Sequence, residues 1–259
     1  MTLDVHDLVV ELDGRRVVDG LSFAVPDGAR VGLVGSSGSG KSMTVLAVLG
    51  LVPEGAVVSG SVRLDGRELV GLPERDLARV RGRLVGTVFQ DPTSSLDPVQ
   101  RIGRQITEPL RLHEGLRRQE ARRRAVEAAR EVGLPDPETI VDAYPHQLSG
   151  GQRQRVGIAT ALVTRPGLVL ADEPTTALDV TTQAAVLALF RRLVDERGSS
   201  LLFVTHDLAV LAQVATHAVV LDAGRVTEQG PVAQLLHEPA SAVGRGLVAA
   251  ARATTWSAS

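Results

Sequence analysis

The sequence predicts an α/β fold built on a mainly parallel sheet, with an antiparallel β segment at the N-terminal end and a helical lobe inserted in the middle. Three observations carry this. Leu3 to Val25 is a succession of short β-rich runs, and Ala29 to Val34 is an apolar strand passing directly into a Gly/Ser loop and a helix that begins near Lys41. From Ser149 onward helical and strand patterns alternate, which is how strands joined by crossover helices read in a parallel sheet.

The first β region is broken by Asp13-Gly14 and Asp19-Gly20, both read as tight turns, and a further strand runs from Val57 to Leu64 before Asp65-Gly66. After Gln90 the character changes. Asp97-Pro98 reads as an N-cap followed by Pro at the first helical position, so Pro98 to His113 is predicted as a helix. Leu116 to Val132 is the next helix, and Gly133 suits a left-handed helix end. A helix to about Val163, a strand from Leu168 to Ala171, a helix from Thr181 to Arg197 closed by Gly198 and a strand from Leu201 to Val204 follow. The chain 1–259 therefore reads as a single domain: 1–90 and 148–240 form the core, 91–147 the helical lobe. Residues 241–259, rich in Ala, Gly and Ser, are expected to be a loosely attached tail.

Bulk composition narrows the classes of function. With 28 Lys+Arg against 30 Asp+Glu, the net charge of −2 gives no reason to expect a nucleic-acid partner. The absence of cysteine excludes disulfides and thiolate metal sites and fits a reducing compartment. No apolar run approaches the roughly 20 residues that span a bilayer, and the acidic start MTLDVHDLVVELDG does not read as a secretion signal. The expected location is the cytoplasm, with any membrane attachment supplied by a partner.

The chemistry begins at Gly35-Ser36-Ser37-Gly38-Ser39-Gly40-Lys41-Ser42, which fits G-x-x-x-x-G-K-S/T after an apolar strand and at the start of a helix. Glycines let the backbone wrap a phosphate chain, and the N–H groups of the loop and helix tip, Met43 included, face its negative charge. Lys41 is assigned to the β- and γ-phosphates and the Ser42 hydroxyl to Mg²⁺. Leu168-Val169-Leu170-Ala171-Asp172-Glu173 is a buried strand ending in two carboxylates. There Asp172 is assigned to Mg²⁺ and Glu173 to polarising the attacking water. Together these motifs describe a P-loop NTPase core with ATP and Mg²⁺ as its ligands.

Leu148-Ser149-Gly150-Gly151-Gln152, continued as RQR, resembles the signature of ABC ATPases, and the resemblance runs through nearly the whole chain in the family's order. Gln90 matches the Q-loop glutamine. Thr176-Ala177-Leu178-Asp179 matches the D-loop, and His206 within Val204-Thr205-His206-Asp207 matches the switch histidine. Taken singly, Gln90 reads as a strand-end residue, His206 as a structural hydrogen-bonder and Asp179 as a helix N-cap.

The resemblance implies a division of labour. Ser149, Gly150, Gly151 and Gln152 open a helix whose tip suits the γ-phosphate of ATP held by an opposite subunit, so that two chains close head to tail around two ATP molecules. Asp179 lies at the same junction. His206 contacts the γ-phosphate and orients water beside Glu173, and Gln90 ligates Mg²⁺ and reports it to the helical lobe. One departure stands out: the family's adenine-stacking aromatic is missing from Glu11-Leu12-Asp13-Gly14-Arg15-Arg16-Val17, which leaves Leu12 or Val17 to supply an apolar face.

Phe89-Gln90-Asp91-Pro92-Thr93-Ser94-Ser95-Leu96-Asp97-Pro98, with Ile102-Gly103, Ile106-Thr107-Glu108-Pro109-Leu110 and Tyr144-Pro145-His146-Gln147-Leu148, is similar to the oligopeptide, dipeptide and nickel importers. That implies a second ATPase subunit, identical or paralogous, two integral-membrane permeases, an extracellular binding protein acting indirectly, and a peripheral position on the cytoplasmic face of the membrane. An unfused exporter ATPase and a soluble non-transport ABC ATPase are the alternatives. Arg117, Arg118, Arg122, Arg123, Arg124 and Arg130 share one predicted helix with Glu120, Glu127 and Glu131. Glu120 and Arg124 are spaced for an i,i+4 pair, so the helix reads as a solvated face.

Overall fold

A computed structural model describes residues 1–90, 96–176 and 178–256, with side chains to residue 252. By its contacts the chain divides into one unit formed by residues 1–77 and 200–259 and a second formed by residues 78–199.

In the first unit, β1 (Leu3–Leu12) and β2 (Arg15–Val25) form an antiparallel hairpin. Asp13 and Gly14, with φ of 50° and 72°, supply the two left-handed residues that a two-residue hairpin turn requires. Leu3, Val5, Leu8 and Val10 of β1 are buried, and β4 (Val57–Leu64) pairs along the other side of β1 with β5 (Arg67–Glu68) beyond it. Asp19-Gly20 is not a turn. Leu8 pairs with Leu21 and Val10 with Val18, so Asp19 and Gly20 together face the single residue Val9 as a bulge within β2.

The second sheet of this unit has the order β10 (Arg225–Pro231), β9 (His217–Asp222), β3 (Arg30–Gly35), β8 (Ser200–Thr205). β3 is parallel to both neighbours. Its Val31, Leu33 and Val34 are buried, as are all six residues of β8, the pattern of strands covered on both faces. α1 (Lys41–Leu49) follows β3, and α2 (Glu74–Arg83) runs from the first unit into the second.

The C-terminal segment departs from the loose tail expected of it. Residues Ala242–Trp256 form a helix (here α10), preceded by α9 (Val232–His237) and packed with α8 (Leu208–Val214). Val248 is buried among Leu208, Leu211 and Leu235, with Val243, Leu247 and Ala251 against the same cluster. Those spacings are helical, and the apolar stripe they form outweighs the Ala/Gly-rich composition.

In the second unit, β6 (Val85–Val88) and β7 (Leu168–Asp172) are a parallel pair. Around them lie α3 (Ile102–Glu114), α4 (Arg118–Glu131), α5 (Pro137–Ile140), α6 (Gly150–Leu162) and α7 (Val180–Arg197). The helix predicted from Pro98 starts at Ile102 instead. The Asp97 carboxylate accepts from Val99 N and Gln100 Nε2, while the Gln105 side chain bridges the Asp97 N–H and carbonyl, closing a local turn where a first helical turn was expected. α4 ends as predicted, with Gly133 at φ 68°. Its pairing is different: Glu120 takes Arg123 at i,i+3, Arg123 also takes Glu127, and Arg124 donates to the Val163 carbonyl.

Candidate functional site

β3 runs into the loop 35–40, and α1 begins at Lys41. Gly38 and Gly40 adopt φ of 78° and 99°, values that side chains rarely tolerate. A Cβ on Gly35 would meet the Leu221 carbonyl at 2.3 Å and Ser39 Oγ at 2.7 Å, and one on Gly40 would meet the Val17 carbonyl at 2.8 Å. The glycines are therefore needed for the curvature and for the space.

Lys41 is 5% exposed, and its Nζ donates to the carbonyls of Gly35 at 2.9 Å and Ser36 at 2.8 Å. The ammonium is thus held inside the curve of the loop. Ser39 is buried, and its Oγ has no hydrogen-bond partner, an orphan polar atom in a loop closed by Ser39 N to Ser36 O and by Gly224 N to Ser39 O. A buried cation, an unsatisfied hydroxyl and a glycine-lined concavity at a helix N-terminus fit a polyphosphate. Ser42 is exposed and Met43 half-buried on the same first turn. His206 is exposed at the end of β8, where the Asp207 carboxylate caps α8 through Ala209 N and Val210 N. Val17 is half-buried on β2 with its carbonyl against Gly40, whereas Leu12 ends β1.

The second unit carries the carboxylates. Asp172 closes β7 at 8% exposure, and Glu173 follows with φ 46°, in the left-handed region. Thr176 Oγ1 donates to Glu173 Oε2 at 3.0 Å, and Gln183 Nε2 of α7 donates to Thr175 Oγ1 at 3.2 Å. Asp179 is the N-cap of α7. Its carboxylate accepts from Thr182 Oγ1 at 2.7 Å and Thr182 N at 3.0 Å, and these bonds hold its carboxyl below the ordinary value.

Ser149 is the N-cap of α6 in a reciprocal box: Gln152 N donates to its Oγ and Ser149 N donates to Gln152 Oε1. Leu148 is buried, Ser149 and Gly150 are exposed, and nothing lies within 4 Å of a Cβ built on Gly150. The helix tip is consequently open for an anion to approach. Gln90 is exposed just past β6. Among the described residues no group of three or more His, Asp or Glu forms a metal cage, and no helix is long and apolar enough to cross a membrane. Asp91-Pro92-Thr93-Ser94-Ser95 of the importer-like stretch and Ala177 of the D-loop match lie outside the described residues.

A family model described as ABC transporter matches residues 18–176, which takes in the phosphate loop, the signature helix and both carboxylates. This chain belongs to the ABC transporter family. It is 48% identical over 241 residues to the "Oligopeptide transport ATP-binding protein OppD" of Mycobacterium tuberculosis, covering 91% of this chain and 39% of that protein. It is 44% identical over 254 residues to the "Probable peptide ABC transporter ATP-binding protein y4tR" of Sinorhizobium fredii, covering 96% of this chain and 76% of the relative. The chain thus spans about two fifths of the length of the mycobacterial relative. Among solved structures it resembles the dimeric ATP-binding cassette MJ0796, in a post-hydrolysis state bound to ADP and Pi. There the TM-score is 0.78 and the identity 28%, over 89% of this chain and 98% of the other. The α/β architecture with its antiparallel N-terminal sheet is that of ABC ATPase cassettes.

Set against the family's pattern, each unit holds its own share of the expected residues. The first carries 35–43 and His206; the second carries Gln90, Ser149 to Gln152, Asp172, Glu173 and Asp179. The sequence reading named Thr176 only as part of the D-loop match and gave Thr182 no role; their hydroxyls hold Glu173 and Asp179. The signal for Thr182 was the D-x-x-T spacing of a capped helix, and the S-x-x-Q spacing at Ser149 was the same kind of sign.

Proposed function

We propose that this chain binds ATP with Mg²⁺, hydrolyses it, and thereby powers import of peptides or a related small solute through separate permease subunits. The observation that carries the reading is its 44% identity, over 96% of its length, to a probable peptide transporter ATP-binding protein.

In this reading the Gly35 to Gly40 loop wraps the phosphates, Lys41 leaves its loop carbonyls for the β- and γ-phosphate oxygens, and the Ser42 hydroxyl, Asp172 and Gln90 hold Mg²⁺. A magnesium ion keeps several of its ligands as water and phosphate oxygen, which suits residues that do not form a cage by themselves. When bound, it supplies neutralisation of phosphate charge. Glu173 accepts hydrogen bonding from the attacking water and orients it, and His206 fixes the γ-phosphate. Ser149, Gly150 and Gly151 cap the γ-phosphate of a partner's ATP, with Asp179 at the same junction. Val17, whose carbonyl lies against Gly40, supplies the apolar face for adenine.

The permease side rests on a groove of about 900 Å³ in the second unit, lined by Arg101, Arg104, Arg111, Arg118, Arg122 and Tyr144 among others. Asp142 takes Arg101 and Arg122, and Glu108 takes Arg104 and Arg111, which leaves more positive than negative charge there. An acidic segment of a membrane subunit is the complementary partner, placing the chain peripherally on the cytoplasmic face.

The test is ATP-driven association. Glu173→Gln, loaded with MgATP, is expected to dimerise with itself or with a co-expressed paralogue and to turn over at least about 100-fold more slowly, a loss within the range attributed to general-base catalysis. Turnover by Glu173→Gln at the wild-type rate, or a loaded variant that stays monomeric in both settings, overturns the reading.

A further inference from the structure

The Glu173 carboxylate is gripped by its own loop. Thr176 Oγ1 is 3.0 Å from Glu173 Oε2 and 3.3 Å from the Glu173 carbonyl oxygen, and Thr176 N reaches that carbonyl at 3.4 Å. Glu173 itself sits at φ 46°, where an L side chain is seldom found and where surrounding contacts must hold it. The loop is pinned from a second side: Thr175, 5% exposed, accepts from Gln183 Nε2, one turn into α7.

We propose that Thr176 is a positioning residue for Glu173: its hydroxyl fixes which carboxylate oxygen turns toward the loop and so the direction in which the other presents itself to the attacking water. The inference rests on the reading of Glu173 as the residue that polarises that water. A glutamate has three freely rotating side-chain torsions, and a misplacement of about 1 Å in such a group can lower a rate by about 100-fold. A donor from a residue three positions away, in a turn closed by its own backbone, restricts that freedom.

The experiment compares MgATP hydrolysis by the full chain and by Thr176→Val, Thr176→Ala, Thr176→Ser and Glu173→Gln, with melting temperatures alongside. Thr176→Val keeps the shape and loses the donor; Thr176→Ala loses the donor with no added bulk to accommodate. Both are expected to lower kcat about 10-fold with KM within about twofold, as removal of a purely orienting contact does. Thr176→Ser is expected to return kcat to within about threefold of wild type, since it restores the same donor. Wild-type kcat in both donor-less variants overturns the proposal, as does a loss confined to KM or a Thr176→Ser variant no faster than Thr176→Ala. Glu173→Gln separates the two levels. If it is inactive while Thr176→Val runs at the wild-type rate, the positioning role alone fails; if it hydrolyses normally, the assignment of Glu173 fails and the positioning role with it.

Discussion

The Thr182 methyl group stands 2.7 Å from the point that a Cβ on Gly151 would occupy, while the Thr182 hydroxyl binds the Asp179 carboxylate. The tip of the signature helix and the cap of α7 therefore share one side chain. Gly151→Ala would gain about 1 kcal/mol of helix propensity but forces an overlap of the kind that loses about 1–3 kcal/mol. A lowered melting temperature is expected. Gly150→Ala, which meets no atom within 4 Å, is expected to raise it slightly. Thr182→Ser in the Gly151→Ala background removes the methyl, keeps the hydroxyl and recovers the loss; a double variant no more stable than Gly151→Ala contradicts this contact.

Gly40→Ala places a methyl group 2.8 Å from the Val17 carbonyl at a φ of 99°. Backbone strain of this type amounts to about 1–3 kcal/mol, so ATP affinity is expected to fall by about 10-fold or more with the overall fold retained. Titration with a fluorescent ATP analogue reads this out. A variant that binds as tightly as the wild type shows the loop to be adaptable there.

Val17→Tyr tests the adenine face. An aromatic ring stacked on a base contributes about 1–3 kcal/mol, so tighter ATP binding by at least about fivefold is expected, with GTP gaining in parallel. Unchanged affinity for both nucleotides places the base elsewhere than over Val17.

α10 is tethered by Glu228, whose carboxylate accepts from Ala240 N at 2.8 Å, Ser241 N at 2.9 Å and Ser241 Oγ at 2.8 Å. Burial pushes this carboxyl upward, but the amides of Ala240 and Ser241 and the Ser241 hydroxyl outweigh it and hold the group below its ordinary value of 4.5. A depressed folded-state pKa gives stability that is present above pH 4.5 and lost as pH falls through the lower folded value. Glu228→Gln is accordingly expected to melt a few degrees below wild type at pH 7, with the gap closing under acid conditions. A gap that stays constant down to pH 3 refutes the assignment.

In the arginine-lined groove, Arg104→Glu combined with Arg118→Glu reverses charge without touching Lys41, Asp172 or Glu173. Co-purification with permease subunits is expected to drop sharply while ATP hydrolysis by the isolated chain changes less than about twofold, because rim charges act mainly on encounter and docking. Undiminished recovery of the permeases removes this groove as their docking site.

Much of this was legible in the residues. The phosphate loop declared itself because its glycines are imposed by space: Gly35 and Gly40 have main-chain oxygens where a side chain would stand. β7 was legible because a strand covered on both faces has no polar residue until Asp172. Three features were hidden for physical reasons. Asp19-Gly20 has the composition of a turn, yet β1 on its other side keeps the chain in register and converts it to a bulge. Asp97-Pro98 has the composition of a helix start, yet Gln105, eight residues on, captures the Asp97 backbone. The stripe of Val243, Leu247, Val248 and Ala251 was diluted by Gly and Ala, and only the buried face of α8 shows what it covers.

The two carbonyls that hold Lys41 have a consequence for the nucleotide binding proposed for this loop. Under the proposed function, phosphate would not rescue a stranded charge; it would compete with Gly35 and Ser36 for an ammonium that is already coordinated. Affinity for ATP would then be set by the difference between two sets of acceptors. On product departure the cation would have a berth to fall back into, so the loop would cycle without burying an unmatched charge.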